Sequence, residues 1–209
     1  NFTLHFRFIT GGWNAYSKSE ECRFFVLLCA VLIVLSSGYL YVSGAFPVQS
    51  FSDLERLIRG AAFQIVSLIT TTGFVSENYS LWPLGIVPLF LFAIFVGGCV
   101  GSTAGGFKIM RVMVLGKVLR REFFLMLHPR GVSTIKFQDR PLSEKIISGT
   151  CVFFITYLLV LFVCSSVLLF HGIDFLTSFS AVLTCLSNTG PGFGRVGAVD
   201  NFGWMPEDV

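Results

Sequence analysis

Two short stretches combine small polar side chains with glycine, and each directly follows a short apolar run. The first stretch is Thr70, Thr71, Thr72, Gly73 and Phe74, and the second is Ser187, Asn188, Thr189, Gly190, Pro191, Gly192 and Phe193. Thr is stiff at χ1 and Gly costs about 1 kcal/mol relative to Ala inside a helix, so both stretches predict irregular backbone. Backbone carbonyls can replace the hydration shell of a cation. Thr and Asn side chains are expected to hold such a backbone from behind or to add oxygen ligands.

The composition predicts that these stretches lie in a membrane protein. Hydrophobic residues make up 54% of the 209-residue chain and charged residues 13%, against about 25% charged in an average soluble domain. The segments 24–52, 78–107 and 146–173 contain no Asp, Glu, Lys or Arg. Each is longer than the roughly 20 residues that a helix needs to cross the bilayer. A soluble protein with a large core is the alternative, and the charge-free segments argue against it.

Charged residues indicate the orientation of the chain. Nine basic and three acidic residues lie between Lys108 and Lys145, and the positive-inside rule places such a segment in the cytoplasm. A basic run can also bind nucleic acid, but this one joins two predicted spans, so no nucleic-acid partner is expected. The six cysteines show no CxxC pair and no His at ligand spacing. No metal site, cofactor or catalytic set is therefore expected, and an enzyme is not predicted.

Short helices are predicted to position the two polar stretches. The uncharged runs 60–69 and 175–186 contain ten and twelve residues, long enough for only about half of a bilayer. Ser52 and Glu55 resemble a capping box at the first helix, and Asp174 is expected to cap the second. A soluble amphipathic helix is the alternative for the first run, but its position between two spans favours a re-entrant pore helix. The partial negative charge of a helix C-terminus favours a cation there.

A glycine-rich run interrupts the second predicted span in the half that is expected to face the cytoplasm. Its candidate functional residues are Gly97, Gly98, Gly101, Ser102, Thr103, Gly105, Gly106 and Lys108. So many glycines predict a broken helix, and the Ser and Thr hydroxyls are expected to satisfy some of the freed backbone amides. The spacing does not fit a Walker-type phosphate loop, and close helix packing through small residues is the alternative. We prefer a flexible segment along a water-filled path, which acts as a gate with Lys108 at its inner end.

The chain repeats the order of span, half-helix, irregular segment and span, and Gly73 and Gly190 occupy matching positions 117 residues apart. The predicted fold class is an all-α integral membrane protein with such units around an ion pore, of which about one and a half are present. The predicted organisation is a cytoplasmic connection 1–20; a repeat 21–118 with pore helix 52–69, filter 70–74 and broken second span 83–118; a cytoplasmic linker 119–142; and a repeat 143–209 that ends after its filter 187–193.

Four motifs together resemble the membrane subunit of the Trk/Ktr/HKT potassium-uptake superfamily, TrkH type. They are the segments 70–74, 97–108, 128–129 and 188–192. The resemblance covers nearly the whole chain and implies the third and part of the fourth of four repeats around one pore. It also implies a homodimer of pore subunits, a cytoplasmic nucleotide-binding RCK-type regulator, an intramembrane gating loop in the glycine-rich run, and glycines at the Gly73 and Gly190 positions that accompany potassium.

Potassium uptake across the bacterial cytoplasmic membrane, through a filter of backbone carbonyls, is therefore the predicted function. An alternating-access cation symporter coupled to Na⁺ or H⁺ is one alternative, and it would be favoured by ionisable residues at mid-membrane, which the spans lack. A membrane assembly subunit without transport activity is another. That alternative explains the apolar runs but not two matched polar stretches.

Overall fold

The computed structural model describes residues 2–47, 49–138 and 140–204, and these ranges are mainly helical. Residues 205–209, the end of the predicted repeat 143–209, lie outside them. The helices are α1 (Phe2–Ile9), α2 (Ala15–Lys18), α3 (Glu20–Val42), α4 (Phe51–Ile69), α5 (Val87–Val96), α6 (Ile109–Leu127), α7 (Glu144–Phe170) and α8 (Phe175–Ser187), with 3₁₀ turns at Tyr79–Leu81, Leu84–Ile86 and Gly194–Val196. Two short strands, β1 (Lys136–Phe137) and β2 (Arg140–Pro141), pair antiparallel with Lys136 opposite Pro141.

Helices α3 and α7 are long and apolar enough to cross a membrane. They contain 23 and 27 residues, with mean hydropathies of 2.4 and 2.6. Their outer faces expose large apolar side chains, among them Val34 on α3 and Phe162 on α7. An apolar surface of this extent is unfavourable in water and suits contact with lipid.

Two helix pairs are joined by α5 into one core. Helix α3 packs along α4, and α7 packs along α8, so each long helix is paired with the shorter helix that follows it in the chain. Helix α5 contacts both α4 and α8. Ile65 on α4, Phe90 on α5 and Leu183 on α8 are all buried in the same apolar cluster. The irregular segments after α4 and α8 are thereby brought next to each other.

The start of α4 differs from the predicted capping box. Ser50 is the N-cap, and its Oγ accepts a hydrogen bond from Ser52 N–H at 3.1 Å while the Asp53 carboxylate accepts one from Ser50 N–H at 3.0 Å. The Ser52–Glu55 prediction is wrong because the N-cap lies two residues earlier, at Ser50, and the helix begins at Phe51. Glu55 instead lies 3.5 Å from Arg59 in an exposed ion pair.

The start of α8 agrees with the sequence. Asp174 is the N-cap residue, and its carboxylate accepts a hydrogen bond from Thr177 N–H at 3.0 Å. This backbone hydrogen bond lowers the pKa of Asp174 below its ordinary value, because it stabilises the charged form. The predicted capping role is confirmed.

Candidate ion pathway

The first candidate filter segment, residues 70–74, leaves α4 through a tight reversal of the backbone. Thr71 has φ +53° and Gly73 has φ +76°, whereas a β-branched residue seldom takes a positive φ. Thr71 N–H donates to Leu68 O at 3.1 Å, and Thr72 N–H donates to Ser67 O at 2.9 Å. The last carbonyls of α4 therefore turn the chain back on the helix.

The second candidate filter segment, residues 187–193, repeats this geometry with an offset of 117 residues. Asn188 has φ +52° and Gly190 has φ +98°. Asn188 N–H donates to Cys185 O at 3.2 Å, and Thr189 N–H donates to Thr184 O at 3.0 Å. Each donor and acceptor is the counterpart of one in the first segment. Ser187, predicted as the first filter residue, is the last residue of α8.

The two candidate segments touch each other at Gly73. A Cβ on this residue would overlap the carbonyl oxygen of Thr189 and would lie 3.2 Å from Pro191 Cδ. Gly73 therefore combines a positive φ with a close backbone approach, and both require glycine. At Gly190 only the φ requirement holds, since no atom of the described residues lies within 4 Å of the position that a Cβ would occupy there.

Serine and tyrosine side chains brace the candidate segments from behind. Ser67 Oγ donates to Phe74 O at 2.6 Å, and the buried Tyr79 hydroxyl donates to Gly192 O at 3.0 Å. Ser180 Oγ accepts from Phe193 N–H at 3.0 Å. The expectation that Thr and Asn would supply these braces therefore missed the serines and tyrosines. Ser67 and Ser180, hydroxyl side chains within the uncharged runs 60–69 and 175–186, were the available signal.

Threonine hydroxyls in the candidate segments bear on the other half of that expectation, that Thr adds oxygen ligands. Thr70 Oγ1 donates to Val66 O at 2.6 Å and lies 2.7 Å from Thr72 Oγ1. Thr189 Oγ1 is buried and has no hydrogen-bond partner among the described residues. The Thr189 oxygen beside Gly190 is therefore free to accept a hydrogen bond or to bind a cation. Burying a hydroxyl without a partner costs free energy, so such a ligand would offset that cost.

The glycine-rich run forms a loop between α5 and α6, which we call the 97–108 loop. Its two ends meet: Phe107 N–H donates to Phe95 O at 2.9 Å, and Lys108 N–H donates to Val96 O at 2.7 Å. A Cβ on Gly97 would overlap the carbonyl oxygen of Gly105. The broken span predicted over 83–118 is thus two helices with a pinched loop between them.

The 97–108 loop lies directly against both candidate filter segments. Gly105 N–H donates to Thr71 Oγ1 at 2.9 Å, and a Cβ on Gly105 would overlap the carbonyl oxygen of Ser187. Because the loop, α4 and α8 meet at this one glycine, the loop cannot move without changing the surroundings of both segments.

Backbone groups of the loop are satisfied by partners that the sequence did not indicate. Ser102 Oγ donates to Cys99 O at 2.6 Å, so this hydroxyl serves a carbonyl instead of the expected amide. The Val100 amide donates to Glu21 Oε1 at 2.7 Å. Lys108, with φ +77°, turns back so that its Nζ lies 3.5 Å from Ser102 O.

Ion pairs join the helix ends that lie beside the basic segment 108–145. Arg121 on α6 bonds Glu144 at the start of α7 at 2.9 Å, and Lys117 bonds Glu20 at the start of α3 at 2.5 Å. Lys117 also donates to Lys136 O at 2.7 Å. Part of the basic segment is therefore used to join α3, α6, α7 and β1.

Comparisons with known proteins agree on one family. The model of the TrkH cation transport protein family matches residues 3–202. The chain is 39% identical to the Trk system potassium uptake protein TrkH of Vibrio parahaemolyticus over 94% of its own length and 40% of that protein. It is 36% identical to the Trk system potassium uptake protein TrkH of Escherichia coli K12, over 97% of this chain and 41% of that protein.

A solved structure extends this similarity to the fold. The crystal structure of the potassium transporter TrkH from Vibrio parahaemolyticus matches with a TM-score of 0.86 and 37% identity, covering 98% of this chain and 43% of that one. The chain thus spans about 40% of the length of these relatives, and the predicted fold class, including its incompleteness, is confirmed. The membrane setting expected from composition is also supported, and the chain is an integral membrane protein that belongs to the TrkH cation transport protein family.

Proposed function

We propose that this chain forms part of a potassium-uptake pathway in the bacterial cytoplasmic membrane and that residues 70–74 and 187–193 line its selectivity filter. The observation that supports this most directly is the repeated backbone geometry at the ends of two short helices. In both segments a left-handed residue is followed two positions later by a glycine with positive φ. The two segments also meet at Gly73.

This geometry is suited to a dehydrated cation. A positive φ at every second residue reverses the peptide orientation and allows neighbouring carbonyls to face a common axis. The C-termini of α4 and α8 contribute partial negative charge at the same place. Backbone oxygens then replace the water that K⁺ loses at a narrow point. The relatives named above are described as potassium uptake proteins, which favours K⁺ as the transported ion.

The 97–108 loop is the proposed gate below this filter. Its glycines allow the backbone to leave the helix, its pinched ends keep α5 and α6 in place, and Gly105 lies against both candidate segments. A difference of a few kcal/mol between two loop positions is enough for a partner to control the population of each. Lys108 at the inner end places a positive charge where cations leave.

The partners of the pore follow from the same proposal. Because the chain spans about 40% of its relatives, the remaining repeats would complete the ring of filter segments. A second pore subunit would complete a homodimer. A nucleotide-binding RCK-type regulator would dock on the cytoplasmic basic segment, where Arg120 and Lys136 border one surface cavity.

The filter assignment is tested by Gly73→Ser and Gly190→Ser in the full-length gene product reconstituted in liposomes. Both variants should lower the K⁺ to Na⁺ flux ratio. Gly73→Ser should have the larger effect, because its Cβ would overlap the Thr189 carbonyl oxygen and its φ is unfavourable for a side chain, whereas at Gly190 only the φ is unfavourable. Gly116→Ser, on α6 with open space around it, is the matched control. Unchanged flux ratios in both filter variants would refute the assignment.

A further inference from the structure

Glu21 is a buried carboxylate that the proposed pathway does not use. It is 5% exposed and is the charged side chain that the described part of the chain buries most completely. Removing a carboxylate from water is costly unless hydrogen bonds compensate. A buried charge at the cytoplasmic start of α3 therefore indicates a specific partner.

That partner is the tip of the 97–108 loop. Glu21 Oε1 accepts a hydrogen bond from Val100 N–H at 2.7 Å, a short distance for an amide donor. No basic side chain lies within 4.0 Å of Glu21 in the described ranges. The preceding residue differs, since Glu20 forms an ion pair with Lys117 and accepts from Gln138 N–H. Of these two adjacent carboxylates, Glu20 therefore binds α6 and the turn at Gln138, whereas Glu21 binds the 97–108 loop.

The bond joins parts of the molecule that are far apart in the chain. Val100 is at the end of the loop opposite its pinched ends, 79 residues from Glu21. The neighbouring Gly101 carbonyl accepts from Phe2 N–H at 3.0 Å. On its other side the loop is held by the bond between Gly105 and Thr71. The Glu21 carboxylate therefore fixes the tip while Thr71 fixes the part beside the candidate filter.

We propose that Glu21 is a positioning residue that latches the 97–108 loop against the candidate filter through the Val100 amide. Loss of this acceptor loosens the tip, because a single hydrogen bond, from Phe2 N–H to the Gly101 carbonyl, then ties the tip to a described residue outside the loop. The consequence for ion flux rests on the proposed gating role of the loop. The consequence for loop position does not, and it can be measured separately.

Cys99 provides a reporter beside the latch. It is partly exposed and directly precedes Val100. In the full-length gene product, replacing the other five cysteines of this segment by Ser, and any elsewhere, leaves Cys99 as the target of a charged, water-soluble thiol reagent. Glu21→Ala and Glu21→Met both remove the acceptor, and Met retains the side-chain length. Glu21→Gln retains an acceptor oxygen, and Glu20→Ala is the matched control.

The labelling rate of Cys99 should rise about tenfold in Glu21→Ala and Glu21→Met, as expected for the loss of a hydrogen bond to a charged group. It should stay near the parent rate in Glu21→Gln and Glu20→Ala. Only protein that elutes as the folded species in size-exclusion chromatography is compared. If Glu21→Ala fails to fold because it leaves a cavity, Glu21→Met still tests the loss of the acceptor. Equal rates in parent and Glu21→Met, or an equal rise in Glu20→Ala or in Glu21→Gln, would overturn the latch.

Ion flux separates the two proposals. If Glu21→Met raises both Cys99 labelling and K⁺ flux, the latch and the gate are both supported. If labelling rises while flux is unchanged, the latch stands and the gating role of the loop fails.

Discussion

The hydrogen bond between Gly105 and Thr71 offers the sharpest test of the contact between loop and candidate filter. Thr71→Val replaces the hydroxyl that accepts from Gly105 N–H at 2.9 Å by a methyl group of similar size. The backbone at this position has φ +53°, and both Thr and Val are β-branched, so the conformational strain is nearly equal before and after the change. The substitution therefore removes the hydrogen bond with little other change.

The expected change in flux follows from the surroundings of the Gly105 amide. An unpaired N–H at membrane depth costs about 1–3 kcal/mol, and this cost falls on the loop position in which Gly105 lies against α4 and α8. Since about 1.4 kcal/mol corresponds to a tenfold change in an equilibrium constant, the open population should rise about tenfold. Initial ⁸⁶Rb⁺ uptake into liposomes that contain equal amounts of protein measures this change.

Two further variants make the result decisive. Thr71→Ser retains the hydroxyl and should restore the parent flux. Thr150→Val removes a hydroxyl that donates to Ile146 O within α7, outside both the candidate filter and the loop, so it should leave flux nearly unchanged. An unaltered flux in Thr71→Val, or an equal rise in Thr150→Val, would refute the idea that this bond holds the loop closed.

Two other predictions concern topology and stability. Ser133→Cys should react with an impermeant thiol reagent only from the cytoplasmic side, and reaction only from outside would show that the topology is inverted. Asp174→Ala should lower the free energy of unfolding by about 1 kcal/mol at neutral pH, because α8 loses its N-cap. The bond from Thr177 N–H lowers the pKa of Asp174, so its stabilisation is present above the ordinary pKa and is lost as pH falls through the lowered value. The difference in Tm between parent and variant should therefore disappear in strong acid, and a difference that persists there would contradict the capping role.

Sequence patterns are sufficient to predict those helices and breaks that depend on residues close together in the chain. The sequence predicts the half-helix α8 over 175–186, and the helix ends at Ser187 with the Asp174 cap that residue type and position indicate. The glycine-rich run predicts a break in a helix, and the chain is non-helical between Val96 and Ile109. These features follow from propensity, charge and length, which a single sequence contains.

Contacts between distant residues cannot be inferred in this way. Glu21 and Val100 are separated by 79 positions, and Tyr79 and Gly192 by 113. Which polar side chain meets which backbone group depends on how α3, α5 and α8 pack, and hydrophobic periodicity does not fix that. The incorrect capping box at Ser52 has a more local cause, since several acceptors compete within one turn and small differences in geometry decide between them.

The pinched ends of the 97–108 loop have a consequence for how this family can vary. Because Phe95 and Val96 are hydrogen-bonded directly to Phe107 and Lys108, the residues between these pairs form an insertion between α5 and α6. Their number and type can then change while the junction of the two helices keeps its hydrogen bonds. The proposed gate and the helices that flank it can therefore be selected separately.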